Sequence, residues 1–136
     1  MQAQVVLGVA RRVLFTGPIF DEEKDAVFAD TNIFALPSRY ENFANVVAEA
    51  IAYNIPVVVT PFCGIHSLVD GRAGLVIPPE KEALAGALSS LIQNKSLFAQ
   101  LQAGCQEVVT QLSWDRLTCQ MEHHYVDALK STNGAH

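Results

Sequence analysis

The sequence predicts an α/β fold, a Rossmann-like parallel sheet with flanking helices, and three observations predict it. Short β-branched runs alternate with longer stretches of helix formers. The clearest of these runs, IPVVVTP at 55–61, has no polar alternation, which marks a parallel strand covered on both faces. The strand–helix–strand order then calls for right-handed crossovers within one sheet.

Taken in order, RRVLFTG at 11–17 reads as a buried strand stopped by Gly17 and Pro18. DEEKDAVFAD at 21–30 reads as a short helix with acids in its first turn, where the helix dipole favours them. TNIFALPS at 31–38 is a second strand, closed by Pro37, and helix formers run from about Phe43 to Tyr53, with Asn54 as the stop. The third strand is 55–61. A glycine-containing loop at 62–64, a short helix HSLVD and a turn GRAG at 71–74 follow it. GLVIPP is a fourth short strand. The rest is helical, at 80–93, about 95–112 and 113 to about 129, with Ser113 able to cap the last helix and the tail STNGAH frayed.

Bulk properties exclude several classes of function. A chain of 136 residues, 50% hydrophobic and 17% charged, suits one domain with a real core rather than a disordered chain. A net charge of -5 opposes a sequence-independent grip on nucleic acid, which needs clustered Lys and Arg. No apolar run approaches the ~20 residues that span a bilayer, and MQAQVVLGVARR does not have the order of a signal peptide. Cys63, Cys105 and Cys119 are odd in number and irregular in spacing, which favours reduced thiols and a cytoplasmic setting.

The informative stretch is SRYENFANVVAEA at 38–50, which holds Glu41 and Glu49 with seven residues between them. Ligands of open parallel sheets bind at the carboxyl ends of the strands, and Glu41 falls there. A helix starting near Phe43 points its free N–H groups and positive dipole end into the same crevice, an anion site. Eight residues at a rise of ~1.5 Å put the two carboxylates on the order of 10 Å apart along the helix. A ligand touching both is therefore long, anionic between its ends and rich in hydroxyls, which ionised carboxylates accept well. A nucleotide diphosphate joined to a sugar meets that description. The alternative from spacing alone is a solvated helix face. Phe43, Val46, Val47, Ala50 and Ile51 share the core side, and Asn45 and Glu49 lie opposite. Ala48 and Ala52, small residues beside Glu49 on the polar face, leave room for a ligand to approach.

These residues carry a resemblance. FTGPIFDEEKDAVFADTNIFALPSRYENFANVVAEAIAYNIPVVVT, followed by GIHSLVDGRAGLVIPP, resembles the C-terminal, nucleotide-sugar-binding domain of family 4 (group 1) retaining glycosyltransferases, two-domain enzymes of the B-type fold. The family's mark is a glutamate, a short Phe-Gly stretch and a second glutamate after seven intervening residues, behind a strand ending in Pro-Ser. Glu41, Phe43 and Glu49 match it by position. The resemblance implies that Glu41 is the catalytic-site residue contacting the transferred sugar's hydroxyls and that Glu49 holds the ribose. The backbone amides of Phe43, Ala44 and Asn45 would meet the sugar and the diphosphate. It implies no cofactor and no metal, with the departing diphosphate stabilised by basic side chains and helix-end dipoles.

The chain departs from the family in three ways. Ala44 stands where glycine is usual, Cys63-Gly64 and His66-Ser67 replace a Gly-Gly and a Pro-Glu pair, and the first two strands of the family's domain are missing. With those strands goes the loop bearing the arginine and lysine that grip the diphosphate, and Arg39 is the nearby candidate to replace them. The reading is therefore an incomplete donor-binding domain at 1–130 with a disordered tail at 131–136. An absent N-terminal domain or a second chain would bring the acceptor, a glycan or a lipid, and the full enzyme would be cytoplasmic or peripheral to a membrane. The missing strands belong between those near Val13 and Ile33, so open sheet edges predict homo-oligomers or a rearranged sheet.

Two other classes stand beside the enzyme. One is a non-catalytic fragment or partner-completing nucleotide-sugar-binding module. The other is a sugar-nucleotide epimerase of similar fold, for which no added acid or base is identifiable. Cys119 with His123 is a two-ligand pair, too small for a closed zinc site. Cys63 with His66 has no orienting acid for a nucleophile. No Gly-x-Gly-x-x-Gly or phosphate-loop lysine motif is present.

Overall fold

The computed structural model describes residue 9 and residues 11–133, with side chains through Lys130. The reading of residues 1–12 as no signal peptide falls mostly on residues 1–8 and 10, which lie outside the described residues, as do the last three residues of the tail. The chain divides into two compact units, Met1–Asp30 and Thr31–His136.

In the first unit, α1 spans Asp21–Ala29 and carries Asp21, Glu22 and Glu23 in its first turn, as the dipole favours. The strand expected at 11–17 does not form. Residues 11–12 make a turn and 13–20 are irregular, with Leu14 and Phe15 exposed. A parallel strand gains its hydrogen bonds only from a neighbour, and no strand pairs with this segment among the described residues.

The second unit holds β1 (Phe34–Leu36), α2 (Asn45–Ala52), β2 (Val57–Val59), α3 (His66–Val69), β3 (Gly74–Val76), α4 (Lys81–Gln93), α5 (Lys95–Gln111) and α6 (Trp114–Asn133). The strands form one parallel sheet in the order β1-β2-β3, with Phe34 opposite Val57 and Val57 opposite Gly74. Among the described residues three strands thus form where four were expected, with β1 and β3 at the two ends of the sheet.

β2 lies in the middle, and Val57, Val58 and Val59 are all fully buried, as an apolar run without alternation requires. Val58 packs with Ile77, Ala87, Leu91 and Leu101 under α4 and α5. Burial of such a side chain contributes roughly 1.5–3 kcal/mol relative to exposure. α2 packs against α5, β1 and β2, and buries Val47, Ala50 and Ile51. It ends where Asn54 turns into the left-handed region (φ 59°), a stop that asparagine accepts readily. Asn94 caps α5 by accepting from the Leu97 N–H at 3.0 Å. Ser113 caps α6 through the Arg116 N–H at 3.4 Å, as expected from the sequence. Among the described residues no helix is long and apolar enough to cross a membrane.

Candidate functional site

The loops that leave β1 and β2 at their carboxyl ends are clamped together. Thr60 is fully buried, the buried polar side chain among the described residues, and its hydroxyl donates to the Ser38 carbonyl. The Glu41 N–H donates to the Phe62 carbonyl at 3.2 Å, and the Gly64 N–H donates to the Asn42 carbonyl at 2.8 Å. Glu41 thereby forms a parallel bridge with Cys63, an extension of the β1–β2 pairing beyond the strands. Gly64 is required by this approach, because a Cβ there would stand 2.1 Å from the Asn42 carbonyl oxygen. The clamp sets where the Glu41 backbone sits.

α2 starts at Asn45, two residues later than the periodicity indicates. Phe43 therefore lies in the loop, outside the phase of the helix, and is 40% exposed instead of joining the core face with Val47, Ala50 and Ile51. Ala44 precedes the helix in the left-handed region, with φ 68° and ψ 60°. Glycine enters that region freely, whereas a Cβ there costs roughly 1–2 kcal/mol. The substitution noticed in the sequence thus falls on a backbone that does adopt positive φ. Ala44 is only 4% exposed, so Phe43 and Asn45 on either side are the open members of the three. No side chain caps α2 and no acid lies in its first turn, while the Ala44 carbonyl accepts from the Val47 N–H at 2.8 Å. The Asn45 end of α2 therefore keeps its positive character.

Glu49 is half-buried one turn further on. It lines a cavity of about 330 Å³ with Ala48, Ala52, Val109, Leu112, Ser113 and Trp114. The small residues on either side do leave space, and that space opens against the α5–α6 junction. A neighbouring cavity of about 350 Å³ holds Phe43 together with Leu68, Leu112 and Arg116. Leu112 borders both cavities, so the α5–α6 junction runs alongside α2 from Phe43 to Glu49. Glu41 lines neither cavity and sits on the clamped loops.

Sequence reasoning missed two residues. Thr60 reads there as the end of a β-branched run, and only its burial against Ser38 marks it as a positioning residue. Arg116 reads as a first-turn helix residue, and only the α5–α6 turn brings it into the cavity of Phe43. Arg39 lies in the exposed loop just before Glu41.

The lesser candidates resolve locally. The His66 ring Nδ1 lies 2.8 Å from the Cys63 carbonyl, a contact within its own turn. The Cys63 thiol is buried near the Leu36 carbonyl and the Thr60 hydroxyl, each at 3.9 Å. That closed environment does not suit a nucleophile. Cys119 Sγ and His123 Nδ1 are 3.7 Å apart on exposed α6, whereas Cys105 is buried in α5. Among the described residues no three metal-ligating side chains cluster.

Comparison with known proteins agrees with this geometry. Residues 1–94 match the family model described as "Glycosyl transferases group 1". The D-inositol 3-phosphate glycosyltransferase of Corynebacterium aurimucosum is 31% identical over 125 residues, which are 90% of this chain and 30% of that protein. The solved sucrose-phosphate synthase from Thermosynechococcus elongatus superposes with a TM-score of 0.76 at 29% identity, covering 96% of this chain and 33% of that one. Anabaena Alr3699/HepE, solved in complex with UDP, superposes with a TM-score of 0.74 at 26% identity, covering 96% and 35%. The chain spans about a third of the length of these relatives. A parallel three-stranded sheet with its loops clamped at the carboxyl ends, a two-glutamate helix entry and a family match over most of the chain lead to one conclusion: the chain belongs to the group 1 glycosyltransferases, as part of their C-terminal domain.

Proposed function

We propose that this chain supplies the donor site of a retaining glycosyltransferase, which moves a sugar from a nucleotide diphosphate to an acceptor hydroxyl. The observation that carries the reading is the pair of settings given to the two glutamates. Glu41 is held by the clamped loops at the carboxyl end of the sheet, and Glu49 borders a cavity beside the same helix. In this reading Glu41 accepts hydrogen bonds from the hydroxyls of the transferred sugar. Glu49 accepts them from the ribose, and the open backbone around Phe43 and Asn45 meets the diphosphate at the positive end of α2. Support also comes from a solved relative of this fold, Anabaena Alr3699/HepE, described in complex with UDP-glucose.

The reaction breaks the bond between the anomeric carbon and the diphosphate oxygen. An oxocarbenium-like centre forms, and the acceptor hydroxyl adds on the face the diphosphate leaves, giving up its proton to the departing diphosphate oxygen. The departing phosphate oxygen gains negative charge, and the α2 dipole favours that charge by roughly 0.3–1 kcal/mol, up to ~2 kcal/mol where partly buried. The acceptor is a glycan or lipid bound by a part of the enzyme outside this chain, which puts the protein in carbohydrate biosynthesis.

Calorimetric titration with UDP, GDP and ADP tests the site. Saturable binding of one nucleotide, weakened about ten- to hundredfold in Glu49→Ala, is the expected result, since a hydrogen bond to a charged group contributes about 1.5–3 kcal/mol. A folded chain that binds none of the three refutes it.

A second reading rests on the strand order, in which β1 is the end strand of the sheet among the described residues. An edge of this kind recruits another strand. The chain then acts as a module completed by a second copy or another chain, and light scattering of the isolated chain should show an oligomer.

A further inference from the structure

We propose that Cys119 and His123 on α6 form an open two-point clip for a thiophilic divalent metal ion such as Zn2+, apart from the two glutamates and independent of the donor reading. Residues four apart stand one above the other on a helix face, so the two side chains meet through the helix alone. A thiolate and an imidazole are the donors that such an ion prefers.

The observation that carries the inference is the spacing of the donor atoms. The Cys119 Sγ lies 3.7 Å from the His123 Nδ1. A tetrahedral Zn2+, with Zn–S of about 2.3 Å and Zn–N of about 2.0–2.1 Å, holds its sulfur and nitrogen ligands about 3.6 Å apart. The pair therefore stands at chelating distance before an ion arrives. The ring is also held in place, because Nδ1 lies 2.7 Å from the Cys119 carbonyl and donates to it. When Nδ1 takes the metal it gives up that bond, and the ring proton passes to Nε2. The thiol proton leaves to solvent as the sulfur–metal bond forms, so the imidazole stays neutral.

The surroundings keep the clip open. It lines a cavity of about 660 Å³ with Arg116, Gln120, His124 and Asp127, which gives the ion room to keep water in its other positions. Among the described residues no three metal-ligating side chains cluster, so two ligands come from the protein, too few for the closed site of a structural zinc. Asp127, one turn after His123, offsets the charge of Arg116 and also stands 3.8 Å from Lys130. Cys119 is exposed, whereas Cys63 and Cys105 are buried, so Cys119 is the thiol that meets an ion from solution. Both members of the pair lie two residues from Met121, which at about 100° per residue sets them about 160° around the helix from it. Met121 belongs with Trp114 and Tyr125 to the exposed apolar stripe of α6. A cover laid on that stripe leaves the clip accessible.

The competing reading is a local hydrogen bond, in which the ring rests on the preceding turn and the thiol is solvated. That reading predicts no uptake of metal.

The test is calorimetric titration of the full 136-residue chain, kept reduced, with Zn2+, for the native chain, Cys119→Ser, His123→Gln and His124→Gln. The expected result is saturable uptake by the native chain, weakened about tenfold or more in Cys119→Ser and in His123→Gln. His124→Gln should stay within about twofold, since its side chain points away from the pair's spacing of four. Co2+ in place of Zn2+ should give a thiolate-to-metal charge-transfer band that Cys119→Ser abolishes, a signature that a merely structural effect does not produce. All three positions are exposed, so unfolding of the metal-free variants should match the native chain. Undiminished Zn2+ uptake in Cys119→Ser or in His123→Gln overturns the assignment. So does an equal loss in His124→Gln, or a folded native chain that takes up no ion.

Discussion

α5 and α6 are consecutive helices of similar length, and both place apolar residues at helical spacing, yet the structure treats them in opposite ways. α5 packs against α2 and buries Leu101, Cys105 and Val108, with Leu101 in the cluster around Val58. α6 leaves Trp114, Met121, Tyr125 and Leu129 exposed along one stripe, with Trp114 at 83%. The pattern of a helix announces that a face is to be covered. It does not announce by what, and stability accrues only where the cover is present.

The largest way to break this contrast is a pair of leucine truncations. Leu101→Ala should cost about 2–5 kcal/mol in denaturant unfolding, because it opens a cavity in the cluster around Val58. Leu129→Ala should stay within about 0.5 kcal/mol, as exposed positions do. Similar losses at both sites would mean that α6 is covered in solution.

A smaller effect separates clamp from core. Gly64→Ala forces a Cβ onto the Asn42 carbonyl and should cost about 1–3 kcal/mol, typical of overpacking. Its sharper consequence is a displaced Glu41 loop, so nucleotide affinity should fall more than thermal stability does. Stability lost with affinity retained would show that the clamp does not serve the site.

The mildest test compares the thiols of the two helices. Burial pushes the Cys105 thiol from 9.0 up to about 11, so the folded state favours the protonated form. The folded pKa is raised, so this contribution is complete below about pH 9 and is lost as pH rises through about 11. Unfolding midpoints should drop across that window by less in Cys105→Ala than in the native chain. At pH 8 exposed Cys119 should react with a thiol reagent while Cys63 and Cys105 stay protected.

Most of the fold was legible because its signals are local. The helices at 21–29, 81–93, 95–111 and 114–133 follow from local pattern, the last of them also from its Ser113 cap, and β2 follows from three consecutive valines that demand cover on both faces. The segment at 11–17 carries the same β-branched and aromatic signal and forms no strand, since a strand needs a neighbour that propensity cannot supply. At the candidate site, the two glutamates were visible as spacing, and the family resemblance marked Ala44 as standing in a glycine's place. Phe43 was misread because the helix begins after it, and a two-residue error in a helix start moves a residue from core to loop.

What the sequence determined by itself was the family resemblance, the order of elements from α1 onward and the spacing of Glu41 and Glu49, all encoded in short-range pattern. The tertiary structure alone decided that Thr60 clamps the two loops, that Ala44 sits at positive φ and that Arg116 comes to lie beside Phe43. These are contacts between residues up to about seventy positions apart in the chain. They depend on how helices and loops close around the sheet, and no local spacing records that.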